Sequence, residues 1–170
     1  MIKMLEPMCG EIAQEAAITR RVLERVPEDK LTWKPHPKSM SLGQLALHVA
    51  TIPGGIAGIA QLDEFDTAAA NFDPPNPNNA GEILAALDSS VETAQKFVGG
   101  LSESSAMGTW RATANGREVM AMPRAALLRS IMLNHWYHHR GQLSVYLRLL
   151  EVPVPVIYGR SADENPFAPA

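Results

Sequence analysis

Histidines are the residues in this chain whose spacing indicates chemistry. His135 and His139 are four residues apart, so on an α-helix they share one face, with Cβ atoms about 5–6 Å apart. Two imidazoles at this spacing can bind one metal ion. His48 lies between Leu45 and Ile52 at helical spacing, which predicts that it also faces the protein interior.

A buried imidazole is unfavourable unless it has a hydrogen-bond partner or a metal ion. The sequence therefore predicts that His48, His135 and His139 form either a metal site or a metal-free polar network. The face of the last helix that carries two of them comprises Leu128, Met132, His135, His139, Leu143 and Tyr146. His138 falls on a more polar row and is the weaker ligand candidate, whereas His36, between two prolines, is expected to be an exposed loop residue.

The ligand type narrows the choice of metal. Three neutral imidazoles suit Zn²⁺, Ni²⁺, Fe²⁺ or Cu²⁺, and zinc is the default expectation. Three protein ligands leave a position for water or substrate, as in catalytic rather than structural zinc sites. No Glu-x-x-His segment occurs, which argues against a di-iron carboxylate site. His-Glu-x-x-His is also absent, which excludes a zinc protease of that type.

Length and composition predict one globular domain, residues 1–170. Hydrophobic residues make up 46% and charged residues 19% of the chain, and a chain of this length buries about 70% of its unfolded surface without a disulfide. The net charge of −3 and the pI near 5.9 argue against broad nucleic-acid binding. Cys9 is the single cysteine, which fits the reducing cytoplasm; we expect its thiol to be buried and inert.

Membrane insertion and secretion are not expected from the sequence. No segment approaches the ~20 uninterrupted apolar residues of a membrane helix. The segment 1–7 carries an acidic residue and no long apolar run, unlike a secretory signal.

Prolines, glycines and helical periodicity predict four long helices. Their expected ranges are 7–26, 41–62, 79–98 and 123–152. Ser41 and Gln44 have the spacing of a capping box, and Asn78 or Asn79 is expected to cap the third helix. Pro53 should kink the second helix, and Gly99-Gly100 should end the third.

The connections are expected to be mostly irregular. A loop begins at residue 28, residues 31–40 should be extended because of two prolines, and residues 71–79 form a loop by composition. The dipeptide Asn115-Gly116 lies between two segments that can form a short hairpin. Four long helices nevertheless predict an all-α protein, a four-helix bundle.

Residues 135–148, which read HWYHHRGQLSVYLR, resemble the C-terminal helix of the DinB superfamily, small bacterial metal-binding helical bundles. The resemblance continues through residues 152–155 and Tyr158-Gly159, and residues 41–50 resemble the family's first histidine segment. It covers nearly the whole chain. The run His-x-x-x-His-Arg-Gly-Gln is its most specific part.

The resemblance implies a bundle with up-down-down-up topology, for which residues 62–79 would be the long crossover. It also implies a metal triad of one histidine from the second helix and two from the last, carried over as His48, His135 and His139. Relatives include transferases and isomerases that use mycothiol, bacillithiol or glutathione and hold the thiol on the metal. A small-molecule substrate, a low-molecular-weight thiol and a homodimer are therefore implied for this chain.

The sequence leaves two functions open, a metal-dependent transferase or hydrolase and a non-catalytic metal-binding or stress-response binding protein. Zinc is expected, with nickel or iron as alternatives, and no catalytic residue is identified. Arg140 would be a solvated surface residue or an anion-binding group, and Gln142 would orient a histidine. Asp63 and Glu64 are either a base or part of an ordinary acidic loop. The tryptophans Trp33, Trp110 and Trp136 are expected to be packing residues.

Overall fold

A computed structural model describes residues 5–168 of the chain. Residues 1–4, on which part of the prediction about a secretory signal depends, lie outside the described residues. The elements in chain order are α1 (Glu6–Leu23), α2 (Leu42–Ala60), β1 (Glu64–Asp66), α3 (Ala80–Gly100), α4 (Glu103–Met107), β2 (Thr109–Ala114), β3 (Arg117–Pro123), α5 (Arg124–Ala126), a π-helix (Leu127–Leu133) and α6 (Asn134–Leu149). A 3₁₀-helix, Glu28–Lys30, follows α1.

The predicted helix starts of α2 and α3 are confirmed by their caps. Ser41 Oγ accepts a hydrogen bond from the Gln44 backbone N–H at 3.1 Å, and Gln44 Oε1 accepts one from the Ser41 N–H at 3.0 Å. Asn79 Oδ1 accepts from the Glu82 N–H at 2.9 Å. These bonds satisfy N–H groups that have no partner within the helix, so each cap defines where its helix begins.

Residues 31–40 form turns and bends rather than the predicted extended segment. The Trp33 N–H donates to the Lys30 carbonyl, and the Ser39 N–H donates to the His36 carbonyl, both at 2.9 Å. The two prolines restrict φ but are compatible with turns, which these hydrogen bonds complete.

The second helix continues through Pro53 and ends at Ala60. Next to the proline, the Gly54 N–H donates to Ser90 Oγ on α3 at 2.7 Å. A Cβ atom on Gly54 would lie 2.8 Å from the Ser90 Cα atom, closer than real side chains approach. Glycine at this position therefore allows the backbones of α2 and α3 to make close contact.

The Gly54→Ala variant is expected to lower the free energy of unfolding by about 1–3 kcal/mol, because the added methyl overpacks the α2–α3 contact. Gly55→Ala is the matched control, since a Cβ there meets nothing within 4 Å. It is expected to be neutral or to stabilise by roughly 0.5–1 kcal/mol. Urea unfolding of both variants measures the difference, and equal midpoints would contradict the close contact.

A small sheet corrects the all-α prediction. The strands are ordered β1-β2-β3, with β1 parallel to β2 and β2 antiparallel to β3. The predicted hairpin is confirmed, because Asn115 and Gly116 join β2 and β3 with positive φ values of 51° and 76°, as a two-residue type I′ turn requires. Strand β1 lies within the predicted crossover 62–79 and was not predicted. The described chain is therefore mainly helical with a three-stranded sheet.

The predicted last helix, 123–152, contains a change of helical type. It begins at Arg124, becomes a π-helix at Leu127 and returns to α-helix at Asn134. The buried residues of the π-helix are Leu127, Leu128, Met132 and Leu133. Leu127 and Met132 are five residues apart, as are Leu128 and Leu133, which matches the i→i+5 repeat of a π-helix. Leu128 and Met132, the members of the predicted apolar face that lie in this segment, are both buried, although the helix there is a π-helix rather than an α-helix.

Helix α2 is the central element of the packing. It contacts α3, α6 and the π-helix, while α1 packs against α3. Among the described residues, α2 alone is long and apolar enough to cross a membrane by length and composition, and 56% of that stretch is buried within the protein. Burial of this kind is that of a core helix. The close contact of α2 with α6 positions the three histidines described next.

Candidate metal centre

The three predicted histidines lie together at the contact of α2 and α6. His48 comes from α2, and His135 and His139 come from consecutive turns of α6. One nitrogen from each of these rings lies within 4.8 Å of the others, so that the three can hold one metal ion. His48 Nε2 and His135 Nε2 are 3.3 Å apart. The ring centroids are 4.5 to 5.1 Å apart.

The histidine cluster lies at the edge of the core rather than inside it. Leu45 and Ile52, one turn on either side of His48, are buried, as are Met132 and Leu143 near the α6 histidines. His48, His135 and His139 are themselves half-buried. One side of the cluster therefore packs on apolar side chains, and the other remains accessible to a ligand.

Burial and mutual repulsion keep the cluster neutral at pH 7. Burial, followed by the charges that His139 and His135 would carry, lowers the pKa of His48 to about 4. Burial is also the main cause of the lowered pKa values of His135 and His139. Neutral imidazole is the form that binds a metal ion.

Gln142 makes the orienting contact that the sequence predicts. Its Oε1 atom lies 2.7 Å from His139 Nδ1. Since an amide oxygen only accepts hydrogen bonds, His139 Nδ1 is assigned as the N–H donor, and Nε2 keeps the free lone pair. The hydrogen bond therefore sets the His139 tautomer that a metal site needs. His138 is exposed and lies outside the cluster, although its ring centroid is 4.9 Å from that of His139.

A pocket of about 270 Å³ opens beside His48. Its walls come from α2, through Leu47 and Thr51, and from residues 71–75 of the loop before α3. Asp73 lines this pocket and brings a carboxylate to it. Sequence reasoning missed Asp73, because a proline- and asparagine-rich loop carries no periodicity that could place it beside α2.

The two acidic residues considered as a base bind elsewhere. Asp63 pairs with the guanidinium of buried Arg124, and Glu64 Oε1 accepts a hydrogen bond from Thr113 Oγ1 at 3.3 Å. Within residues 5–168, neither belongs to the group of side chains that can share a metal ion. Neither residue is therefore placed as a base at the histidines, and Glu64 lies in strand β1 rather than in the expected loop.

The tryptophans and the single cysteine lie in packed surroundings. Trp110 and Trp136 are buried, and half-buried Trp33 packs edge-on against Tyr146 with centroids 5.7 Å apart. Cys9 is half-buried, and burial followed by the charge of Glu6 raises the pKa of its thiol. The thiol is therefore less buried than expected, and its low reactivity stays a prediction that the raised pKa supports.

Arg140 is neither a solvated surface residue nor an anion site, which corrects both readings of it. Its side chain is 1% exposed. Its Nη2 atom lies 2.6 Å from Glu15 Oε2 on α1, its Nη1 atom donates to Thr19 Oγ1 at 3.0 Å, and Tyr158 OH completes the set. Arg140 therefore connects the helix that carries two histidines to α1 and to the C-terminal segment.

Comparison with known proteins gives a consistent result. A sequence model of the DinB family matches residues 1–166. The uncharacterized protein YrdA of Bacillus subtilis (strain 168) is 29% identical over 152 residues, covering 88% of this chain and 85% of that protein. The chain also resembles two solved DinB-like proteins, each 22% identical to it. For YjoA from Bacillus subtilis, the TM-score is 0.67, and the match covers 89% of this chain and 96% of YjoA. For a protein from Bacillus cereus ATCC 10987, the TM-score is 0.64, and the match covers 85% of this chain and 91% of that protein.

Proposed function

The chain belongs to the DinB family, and we propose that it is a metal-dependent enzyme in which His48, His135 and His139 hold one divalent metal ion. The observation that carries the proposal is the convergence of three ring nitrogens within 4.8 Å of one another. These side chains fit a metal ion, because all three have lowered pKa values and are neutral at pH 7. Zinc suits three imidazoles best, and nickel or iron are the alternatives.

The proposed activity is thiol-dependent S-transfer or hydrolysis of a small molecule. A divalent ion held by three protein ligands lowers the pKa of a water molecule or a thiol in its open position. Gln142 holds His139 in the tautomer with a free Nε2. Asp73 lines the pocket beside His48, and we propose its carboxylate as the group that accepts a proton.

An open coordination position distinguishes this proposal from a structural metal site. Within the described part of the chain, the metal-ligating group has three members and all are half-buried. Structural zinc sites have four protein ligands and are closed to solvent. The site therefore favours catalysis over a non-catalytic metal-binding or stress-response binding role.

A metal-free polar network is the second candidate, and one distance favours it. The 3.3 Å between His48 Nε2 and His135 Nε2 is short enough for a hydrogen bond between one protonated and one unprotonated ring nitrogen. In that case the pair would satisfy itself without an ion.

Ligand exchange on the Co²⁺-loaded protein tests the proposed function. Adding azide or 2-mercaptoethanol is expected to change the visible spectrum of the bound ion, because an open position accepts either ligand. A Co²⁺ spectrum that neither ligand alters would indicate a closed, structural site. Failure of the protein to take up Co²⁺, Zn²⁺ or Ni²⁺ would favour the metal-free network.

Family membership supports further parts of the proposal. They are the up-down-down-up arrangement of the four long helical segments, a homodimer and a cytoplasmic location. The net charge of −3 supports a small-molecule partner rather than nucleic acid.

A further inference from the structure

A second, apolar cavity lies near the histidine cluster. It has a volume of about 170 Å³, is partly open to solvent, and is lined by Ile56 and Ile59 of α2, Ala112 of β2, and Leu127 and Ile131 of the π-helix. The cavity therefore lies where the π-helix and the sheet meet α2. Of these features, the π-helix and strand β1 were absent from the sequence prediction, whereas the β2–β3 hairpin was predicted.

The polar groups on the cavity wall are already bound to the protein. Trp110 Nε1 donates to the Ile59 carbonyl at 3.2 Å, and Thr67 Oγ1 donates to the Thr113 carbonyl at 2.9 Å. The other lining side chains are apolar. A polar ligand group placed here would lose its hydrogen bonds to water without replacement, so the cavity selects an apolar group.

The size of the cavity indicates which apolar group fits. An enclosed apolar cavity of about 150 Å³ in another protein is large enough to bind benzene. A volume of about 170 Å³ therefore accommodates one aromatic ring or a branched alkyl group of similar size.

The apolar cavity and the pocket beside His48 share a wall residue. Phe72 lines both the apolar cavity and the pocket beside His48. Ile131 precedes His135 by four residues, about one helical turn. Phe72 and Met120 also line the apolar cavity and are 66% and 39% exposed. These two side chains add exposed apolar surface at the opening of the cavity.

We propose that this cavity binds the apolar end of the substrate, an aryl or branched alkyl group joined through a short chain to the polar group that reacts at the histidine cluster. The proposal rests on the proposed function, because it assigns the reacting end to the site of His48, His135 and His139. It names the substrate class as small hydrophobic molecules with one polar reactive end.

The first experiment tests the cavity in the metal-free protein. Toluene is titrated while the Trp110 indole N–H resonance is followed by NMR, and saturable binding is expected. Ala112→Leu fills part of the cavity and is expected to weaken toluene binding about tenfold or more. Because Ala112 is buried, Ile56→Phe at a half-buried position is a second filling variant should the first fail to fold. Val145→Phe, at an exposed position of α6 outside the cavity, is the control and should bind toluene as the parent does.

The second experiment tests the connection to the metal site. The Co²⁺-loaded protein is titrated with 3-phenylpropane-1-thiol and with 1-propanethiol, which lacks only the phenyl ring. The phenyl compound is expected to bind about tenfold tighter or more, because its ring leaves water for the cavity. Ala112→Leu or Ile56→Phe should bring the ratio close to one, and Val145→Phe should not change it.

The outcomes separate the two proposals. Metal uptake with equal binding of the two thiols, or an unchanged ratio in the filled variants, would overturn the assignment of the cavity and leave the metal enzyme intact. Toluene binding without metal uptake would overturn the proposed function, and with it the role of the cavity in binding a substrate.

Discussion

The His135→Ala variant is expected to bind a divalent metal ion at least ~100-fold more weakly than the parent protein. The parent, purified without a histidine tag, is expected to hold about one metal ion per chain. His135 is in contact with both other histidines, with its ring centroid 5.1 Å from that of His48 and 4.5 Å from that of His139. Its loss leaves two ligands on different helices, which is too few for a stable site.

The Gln142→Ala variant should weaken metal binding less than His135→Ala does. Gln142 touches the site only through His139 Nδ1, at 2.7 Å. Removing a group that orients a metal ligand typically weakens binding about 10–100-fold. The order of affinities is therefore parent, Gln142→Ala and His135→Ala, measured by competition with a chromophoric chelator.

His138→Ala is the matched control, because His138 lies in the same helix but is exposed and outside the cluster. Its metal content should equal that of the parent in elemental analysis. Equal loss in His138→Ala and His135→Ala would contradict the assignment of the three ligands. A parent protein that binds no metal would leave the histidines as a polar network.

Arg140→Met is expected to lower the free energy of unfolding by about 3–5 kcal/mol, because it removes one partner of a buried ion pair. Arg140 is 1% exposed and Glu15 is 6% exposed. The Arg140 guanidinium also lies over the rings of Tyr137 and Tyr158, 5.3 and 5.1 Å from their centroids. Without Arg140, the Glu15 carboxylate remains buried, and its remaining side-chain donor is the Tyr158 hydroxyl.

The double variant Arg140→Met/Glu15→Leu should regain most of this stability, because apolar side chains can replace a buried ion pair at little cost. Arg20→Met is the control for loss of an arginine. Arg20 pairs with Asp88 at the surface, where an ion pair contributes about 0–1 kcal/mol. Urea unfolding of the four proteins measures these differences. Two results would contradict a stabilising ion pair between α6 and α1. One is an Arg140→Met variant as stable as Arg20→Met, and the other is a double variant less stable than Arg140→Met.

Several local features were predictable from the sequence, because each depends on residues close together in the chain. The Ser41–Gln44 capping box and the Asn79 cap require spacings of three residues, and the Asn115-Gly116 turn requires two residues that tolerate positive φ. All three are present in the structure. The His135–His139 pair likewise follows from helical spacing alone.

Other features depend on segments far apart in sequence, and no local pattern contains them. Strand β1 has only three residues, Glu64–Asp66, and exists because it pairs with β2 about 45 residues later. The π-helix Leu127–Leu133 packs on α2, and its five-residue spacing departs from the α-helical repeat on which the sequence prediction was based.

The sequence by itself determined the helical segments, their caps, the hairpin turn and the three histidines that lie together. Only the tertiary structure decided what surrounds them. Arg140 is buried because Glu15 and Tyr158 meet it from distant parts of the chain, and Asp73 reaches the pocket of His48 because its loop folds over α2. The physical reason is that spacing and capping act between neighbouring residues, whereas burial and pocket shape depend on which distant segments pack together.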